Sequence, residues 1–134
     1  GGMVGAALTD VAGSSAYYRG GIVAYANDVK SREVGVDPAL IEAHGAVSEP
    51  VARALAEGAR DRLDATYGVS ATGVAGPGGG TPDKPVGLVW IAVAGPAETQ
   101  AFELRIAGDR DGVRRRTVQH ALARVWTTAR GATR

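Results

Sequence analysis

Three residues near the start of the chain, Ser15, Tyr25 and Lys30, carry side chains that can act together in hydrolysis. A hydroxyl, a phenol and an amine can supply a nucleophile, a proton bridge and a base. Neutral lysine accepts a proton from serine once burial or nearby cations lower the lysine pKa. These residue types therefore permit a serine-lysine hydrolase. They also occur together by chance, and the alternative interpretation is a turn serine, a core tyrosine and a surface lysine.

The segment that contains Ser15 predicts a turn. Glycine and serine at residues 12–15, AGSS, relieve backbone strain, and the hydroxyls can bond nearby amides. Ser14 and Ser15 then have two possible roles. They either cap a short helical turn over residues 16–19 or present a nucleophile.

The segment that follows predicts a strand and then a helix. Residues 20–26, GGIVAYA, place β-branched side chains between glycines and predict a buried strand with Tyr25 near its end. Asn27 and Asp28 fit the cap of a helix over residues 29–33. Lys30 then lies on the first helical turn, where the positive end of the helix dipole disfavours the ammonium form.

The rest of the chain alternates between helical and strand patterns. Helical spacing begins near Met3, at Asp37-Pro38 and at Ser48, and further elements are expected as strands over residues 68–72, 86–94 and 100–106 and as a final helix over 112–129. This alternation predicts an α/β protein. We expect a single-domain three-layer α/β/α sandwich with a mixed sheet.

A glycine-rich segment, TGVAGPGGG, occupies residues 72–80. Without Cβ atoms, such loops let backbone amides approach phosphates or oxyanions, but the same composition also suits a mobile linker. It lacks the GK[ST] ending of a P-loop, which argues against ATP hydrolysis of that type. Lys84, just beyond it, is expected to face water. Arg110 at the start of the last helix adds a cation that suits a phosphate or a developing negative charge.

Composition narrows the class of protein. With 134 residues, 45% hydrophobic and 5% aromatic, the chain is long enough for one domain with a core of small aliphatic side chains. A net charge of +1 gives no general reason to expect nucleic acid or a membrane as partner. The absence of cysteine excludes disulfides and thiolate chemistry. No apolar run has the length of a membrane span, so we expect a cytoplasmic protein.

Short-chain dehydrogenases also use Ser, Tyr and Lys. Their Tyr and Lys lie four residues apart on one helical face, whereas Tyr25 and Lys30 are five apart. This chain also lacks a strand-linked GxGxxG at its start and is too short for a complete dinucleotide fold. We therefore reject a dehydrogenase.

Four stretches together closely resemble the CinA C-terminal domain family, the nicotinamide-nucleotide amidases. They are DVAGSSAYYRGGIVAYANDVK from Asp10, GVDPALIEAHGAVSEPVARALAEGAR from Gly35, TGVAGPGGGTPDKPVGLVWIAVA from Thr72 and GDRDGVRRRTV from Gly108. The resemblance implies one amidase domain over residues 1–134. In the family a helix and a strand ending in a Ser/Thr-containing loop precede the double glycine, and those residues are not in this sequence.

The resemblance implies hydrolysis of the carboxamide of nicotinamide mononucleotide to nicotinic acid mononucleotide and ammonia. Ser15 would be the nucleophile, Lys30 the base and Tyr25 the relay between them, with neither metal nor cofactor. Substrate contacts are implied for Gly1, Gly2, Ser14, Asn27, Thr72, Gly73, Gly76 and Arg110. The family also suggests a homodimer. The alternative is a catalytically silent nucleotide-binding or protein-interaction module linked to competence and the DNA-damage response.

Overall fold

The computed structural model describes residues 1–132 and builds them from helices around one small sheet. Helices span Met3–Thr9 (α1), Asn27–Val34 (α2), Pro38–His44 (α3), Glu49–Arg62 (α4) and Arg110–Ala132 (α5), with a 3-10 turn at Ser14–Ala16. Strands span Gly68–Gly73 (β1), Leu88–Ala94 (β2) and Thr99–Arg105 (β3). The expected alternation of helices and strands is confirmed.

The sheet has the strand order β1-β2-β3, and both strand pairs are antiparallel. Ile91 at the centre of β2 faces Ala71 of β1 on one side and Phe102 of β3 on the other. A short turn over residues 95–98 joins β2 to β3, closed by the Gly95 amide donating to the Glu98 carbonyl over 2.8 Å. Within residues 1–132 the parallel pairing of a mixed sheet is not formed, because the strands follow one another as hairpins.

The sheet lies between two helical layers. The α4 helix packs on β1, β2 and β3, and the α2 and α3 helices pack on α4. The α5 helix packs on β2 and β1 and also contacts α1. The α/β/α layering in a single domain is therefore confirmed.

The buried clusters on the two faces of β2 differ in side-chain size, although Trp90 packs against the cluster of small side chains. Towards α4, Ala92 and Ala94 pack with Ala52 and Ala56. Towards α5, the bulkier Val89 and Ile91 pack with Val113 and Ala121. Alternate residues of a strand point to opposite faces, so one strand can supply both kinds of surface. The small side chains bring α4 close to the sheet, close enough for the Ser70 hydroxyl to donate to the Ala52 carbonyl over 2.6 Å.

The prediction of a buried strand over residues 20–26 is wrong. The segment pairs with no strand among the described residues. Its side chains still alternate between buried and exposed. Ile22 and Ala24 pack on the hydrophobic cluster of α2 and α4, whereas Val23 is 59% exposed and Tyr25 is 76% exposed. Extended backbone fits β-branched residues, but a strand also needs a hydrogen-bonded neighbour.

Two helix starts differ in how their free amides are satisfied. Asp37 caps α3 as expected, with its carboxylate accepting from the Ala39 amide over 2.9 Å. Asn27 and Asp28 do not cap α2, because the helix begins two residues earlier than expected and they form its first turn. Ala26 is the capping residue and supplies no side-chain bond.

The end of α2 approaches α4 closely at Gly58. A Cβ atom on Gly58 would lie 2.1 Å from the carbonyl oxygen of Val34. Only glycine permits this contact, because real Cβ atoms do not come so near to a backbone oxygen. Gly58 therefore sets the distance between α4 and the helix that carries Lys30.

Among the described helices none is long and apolar enough to cross a bilayer.

Candidate functional site

Lys30 is the buried cation of the chain's N-terminal half. It lies on α2 and is only 8% exposed. Its ammonium donates to the Tyr25 carbonyl over 2.8 Å. The alternative interpretation of a surface lysine is therefore wrong.

Burial lowers the pKa of Lys30 from its ordinary value of 10.5, and an electrostatic interaction with Tyr25 acts in the opposite direction. Desolvation disfavours the charged form of an amine, so a larger fraction of Lys30 is neutral at any given pH than for an exposed lysine. A neutral amine can accept a proton. The direction of the shift is the one that a general base requires.

Tyr25 lies at the end of the extended segment, directly before α2. Its carbonyl accepts a hydrogen bond from Lys30, while the residue as a whole is 76% exposed, so the alternative interpretation of a core tyrosine is wrong. An exposed phenol next to a buried amine can contact both solvent and a ligand. The structure brings these two predicted site residues together.

Ser14 and Ser15 lie on the 3-10 turn and differ in exposure. Ser14 is 8% exposed, whereas Ser15 is exposed. Gly13 precedes the turn in the left-handed region, and no serine side chain caps it. Among the described hydrogen bonds, none joins the Ser15 hydroxyl to Lys30. The 3-10 turn contacts α1 and, among the described elements, does not contact α2, so the structure does not bring Ser15 and Lys30 together.

The glycine-rich segment between β1 and β2 is tied to its surroundings at several points. Thr72, 8% exposed, donates through its hydroxyl to the Ala46 carbonyl over 2.8 Å. A Cβ on Gly73 would lie 2.7 Å from the Val89 side chain, so the close approach requires glycine. Arg110 donates to the Gly76 carbonyl over 2.8 Å. These contacts favour a positioned loop over a mobile linker.

Lys84 also holds the loop between β1 and β2 in place through hydrogen bonds, so the expectation that its side chain faces water is wrong. Its ammonium donates to the carbonyls of His44 and Val47, the second over 2.7 Å. It thereby holds the end of the loop against the chain between α3 and α4. A lysine three residues before Gly87 in a polar turn gives no sequence signal for this role, because the carbonyls that it binds are about 40 residues away.

The remaining predicted site residues lie on two sides of this region. Asn27 lines a surface cleft of about 500 Å³ together with Asp28, Ser31, Arg32, Pro38 and Ile41. Gly1 and Gly2 lead into α1, with Gly2 at φ 91°. A Cβ on Gly2 would lie 3.5 Å from the Val23 side chain, so the double glycine lies beside the segment that carries Tyr25.

Tyr18 connects α1 to this segment and was not singled out from the sequence. Its hydroxyl lies 2.6 Å from the positions that Cβ atoms on Gly5 and on Gly21 would occupy. Its amide donates to the Ser14 carbonyl over 2.8 Å. Tyr18 thus occupies a notch between two glycines and joins three segments around the site.

The Tyr18 notch leads to a prediction about stability. Gly21→Ala is expected to lower the free energy of unfolding by about 1–2 kcal/mol, because the new methyl displaces the Tyr18 hydroxyl. In a Tyr18→Phe background the hydroxyl is gone and the ring carbon lies at an ordinary contact distance of 3.8 Å, so the same change is expected to be neutral or stabilising. Urea unfolding of the unmodified chain, the two single variants and the double variant measures the difference. If Gly21→Ala has the same effect in both backgrounds, the Tyr18 hydroxyl does not pack against Gly21 as described.

Within residues 1–132, no group of three or more His, Cys, Asp or Glu side chains is placed to hold a metal ion.

A family model described as the CinA C-terminal domain matches residues 1–129. The chain belongs to the CinA C-terminal domain family. The CinA-like proteins of Anaeromyxobacter dehalogenans strain 2CP-C and Gloeobacter violaceus are 60% and 57% identical to it over 122 and 124 residues. Each alignment covers 91% of this chain, and 30% and 29% of the respective relative. The chain therefore spans under a third of the length of these CinA relatives.

Solved structures of the CinA superfamily share the fold. The competence/damage inducible protein CihA from Agrobacterium tumefaciens is 40% identical, with a TM-score of 0.93 over 95% of this chain and 78% of that one. A CinA superfamily protein from Escherichia coli is 32% identical, with a TM-score of 0.90 over 94% of this chain and 73% of that one. The CinA membership expected from the sequence is confirmed.

Proposed function

We propose that this CinA domain hydrolyses the carboxamide of nicotinamide mononucleotide to nicotinic acid mononucleotide and ammonia. The single observation that carries the proposal is the buried amine of Lys30, held by the Tyr25 carbonyl and with a lowered pKa. Lys30 is more buried than the structural Lys84, and among the described residues its ammonium is paired with a backbone carbonyl and no carboxylate. Desolvation therefore favours the neutral amine, which is the form that can accept a proton.

The proposed reaction has two steps. In the first, the Ser15 hydroxyl adds to the amide carbon while Lys30 takes the hydroxyl proton; the C–N bond then breaks, and that proton leaves with ammonia. In the second, a water molecule gives a proton to Lys30 and adds to the serine ester, releasing the carboxylic acid and restoring the Ser15 hydroxyl. Tyr25 would orient the amine of Lys30 and relay the proton between Ser15 and Lys30. Backbone amides of the glycine-rich segment are the candidate donors for the oxyanion.

The mechanism requires a contact that the ligand-free geometry does not show. Ser15 must come within hydrogen-bond reach of Lys30 when substrate binds, and catalytic hydrogen bonds often tighten only in the substrate complex. Because Ser15 is exposed on a short turn, its side chain is accessible to a ligand from solvent. The role of Ser15 is therefore the part of the proposal that a variant must test.

Ser15→Ala is expected to lower the rate of ammonia release from nicotinamide mononucleotide at least about a thousandfold, because no nucleophile remains at that position. A coupled ammonia assay measures the rate. Thr127→Ala is the matched control, since it removes a hydroxyl that bonds only within α5 and should leave the rate unchanged. Full activity of Ser15→Ala would remove Ser15 from the mechanism. No ammonia from the unmodified protein would contradict the amidase itself.

One observation favours a second candidate, a domain that binds the nucleotide without turnover. Ser15 and Lys30 share no hydrogen bond, and without that contact the pair cannot transfer a proton. A relative from Symbiobacterium thermophilum, 54% identical over 134 residues, is named a putative competence-damage inducible protein, which suggests a regulatory setting. Calorimetric binding of the mononucleotide with no release of ammonia would support this candidate.

A further inference from the structure

Among the described strands, β3 has a neighbour on one side only. In the strand order β1-β2-β3 it lies at the opposite edge of the sheet from β1, and its inner side pairs with β2. A strand in this position leaves a row of backbone amides and carbonyls that a further strand can bond. Proteins pair, cover or guard such an edge. The residues of β3 show which of these applies.

The hydrogen bonds between β2 and β3 identify which residues face the outer edge. Ile106, directly after β3, donates its amide over 2.8 Å to the carbonyl of Gly87, directly before β2. Along an antiparallel strand, residues that bond the neighbouring strand alternate with residues whose amide and carbonyl point away from it. Even-numbered residues of β3 therefore bond β2, whereas the backbone groups of Ala101, Glu103 and Arg105 point outward.

The side chains at this edge alternate in a regular pattern. Phe102, Leu104 and Ile106 lie on the α5 side of the sheet. Between them, Glu103 and Arg105 lie on the α4 side, where they pair over 3.0 Å and remain 41% and 63% exposed. Charges of one sign would guard the edge against a second copy, because like charges directly opposite are destabilising. Here an acid and a base alternate with apolar residues, and this order is complementary to itself when it runs in the opposite direction.

We propose that the outer edge of β3 is an interaction surface for a second copy of this chain, paired antiparallel about a two-fold axis at Leu104. Glu103 of each copy then lies opposite Arg105 of the other, and Phe102 lies opposite Ile106. Both charged residues have outward backbone groups, so they exchange amide-to-carbonyl hydrogen bonds across the axis. The contact is the same on both copies and closes at two. The family resemblance suggests a homodimer but indicates no surface for it, and this surface contains no residue of the proposed hydrolysis.

The charges distinguish this register from its neighbours. An axis at Glu103 would place the two Glu103 carboxylates directly opposite each other, which is destabilising. An axis at Phe102 would pair Arg105 with Thr99, whose carbonyl already accepts a hydrogen bond from the Arg53 guanidinium. It would also leave each charge of β3 without an opposite charge across the axis. Only the axis at Leu104 joins acid to base and apolar to apolar along the contact.

Reversal of charge tests the surface. Glu103→Arg and Arg105→Glu are each expected to weaken the dimer about 10- to 100-fold, because each variant places like charges opposite one another at both symmetric positions. An equal mixture of the two variants should dimerise again, since every charged pair across the axis then joins an acid and a base. Glu42→Arg, the same change of charge at an exposed position of α3, is the matched control and should change the dimer by no more than about twofold. Sedimentation velocity over a range of concentrations measures the dissociation constants.

The absence of cysteine permits a cross-link that reports the register. The Cα atoms of the two Leu104 residues would lie about 4.5 Å apart across the axis, within the range of a disulfide. Leu104→Cys is therefore expected to oxidise to a covalent dimer. Phe102→Cys should not, because its two copies would be offset by about 13 Å along the strands. Electrophoresis without reductant separates the products, and urea unfolding checks that each variant is folded.

Three results would overturn the surface at β3. They are a chain that sediments as a monomer at every concentration, a dimer that both charge variants leave unchanged, and a covalent dimer formed by Phe102→Cys in place of Leu104→Cys. Loss of the dimer in each charge variant, its return in their mixture and the cross-link at Leu104 would together support the surface and its register.

Discussion

Replacement of Lys30 by methionine is expected to lower the rate of amide hydrolysis by about 100- to 10,000-fold while the chain remains folded. The reduction is the size of a general-base contribution, because methionine cannot accept the nucleophile's proton. The fold should survive, since an uncharged side chain of similar length is less costly to bury than an ammonium group. Lys30→Arg is expected to be inactive as well, because a guanidinium stays protonated. An undiminished rate in either variant would exclude Lys30 as the base.

The same substitution has a consequence for stability as a function of pH. Burial lowers the pKa of Lys30 in the folded chain, so between that lowered value and the ordinary value of 10.5 the unfolded chain binds more protons. The free energy of unfolding therefore gains an upward slope with pH in this interval from Lys30. The slope is expected to disappear in Lys30→Met. If the proposed hydrolysis uses Lys30 as its base, its rate in the unmodified protein should rise with pH through the lowered pKa for the same reason.

The titration of Lys30 can be measured directly, because the chain contains two lysines, Lys30 and Lys84. Nuclear magnetic resonance of lysine labelled at Cε should show two amine titrations, and Lys84→Arg assigns them by removing one. We expect the signal that remains to have a pKa below 10.5. A midpoint at or above that value would contradict the desolvation of Lys30.

Replacement of Gly58 by alanine is expected to destabilise the chain by about 2–3 kcal/mol. In an ordinary helix interior the change would stabilise by about 1 kcal/mol. Here the new methyl would lie 2.1 Å from the Val34 carbonyl oxygen and 2.7 Å from a methyl of its side chain, so α2 must move away from α4. Overpacking of this kind outweighs the gain in helix propensity. Because α2 carries Lys30, hydrolysis should slow as well.

Gly131→Ala is the control for Gly58→Ala. Gly131 also lies in a helix, but nothing is within 4 Å of its Cβ position, so alanine should be neutral or slightly stabilising. Urea unfolding of both variants measures the free energy of each. If the two substitutions have the same effect, the contact between Val34 and Gly58 does not constrain the packing of α2.

The sequence was most informative where local pattern and tertiary packing agree. The α4 helix has its apolar stripe from Val51 to Leu55 on the buried side and begins, as expected, directly after Ser48. The continuous apolar run in β2 is buried on both faces, as such a run indicates. In both elements one surface is buried along the whole length, so residue type alone reveals the secondary structure.

The sequence was misleading where a partner far along the chain decides the outcome. Residues 20–26 have the composition of a strand, yet no strand among the described residues pairs with them. Burial of Lys30 and exposure of Tyr25 likewise depend on how α2 packs against α4. Composition does not record such packing. The link between Lys84 and the His44 carbonyl is of the same kind, since it joins positions 40 residues apart.

The unequal filling of the two sides of β2 sets opposite rules for sequence change in the family. Ala52, Ala56, Ala92 and Ala94 themselves have almost no side-chain volume to lose, and each methylene added to one of them would push α4 outward and disturb the helices that rest on it. On the side of Val89 and Ile91, added volume is the smaller danger and truncation would leave a void under α5. Homologous sequences should therefore rarely enlarge the alanines that face α4 and rarely shorten the side chains at Val89 and Ile91. Where a change in size is compensated, the two positions should lie on the sheet and on the helix that packs on that face, and not on opposite faces of the sheet.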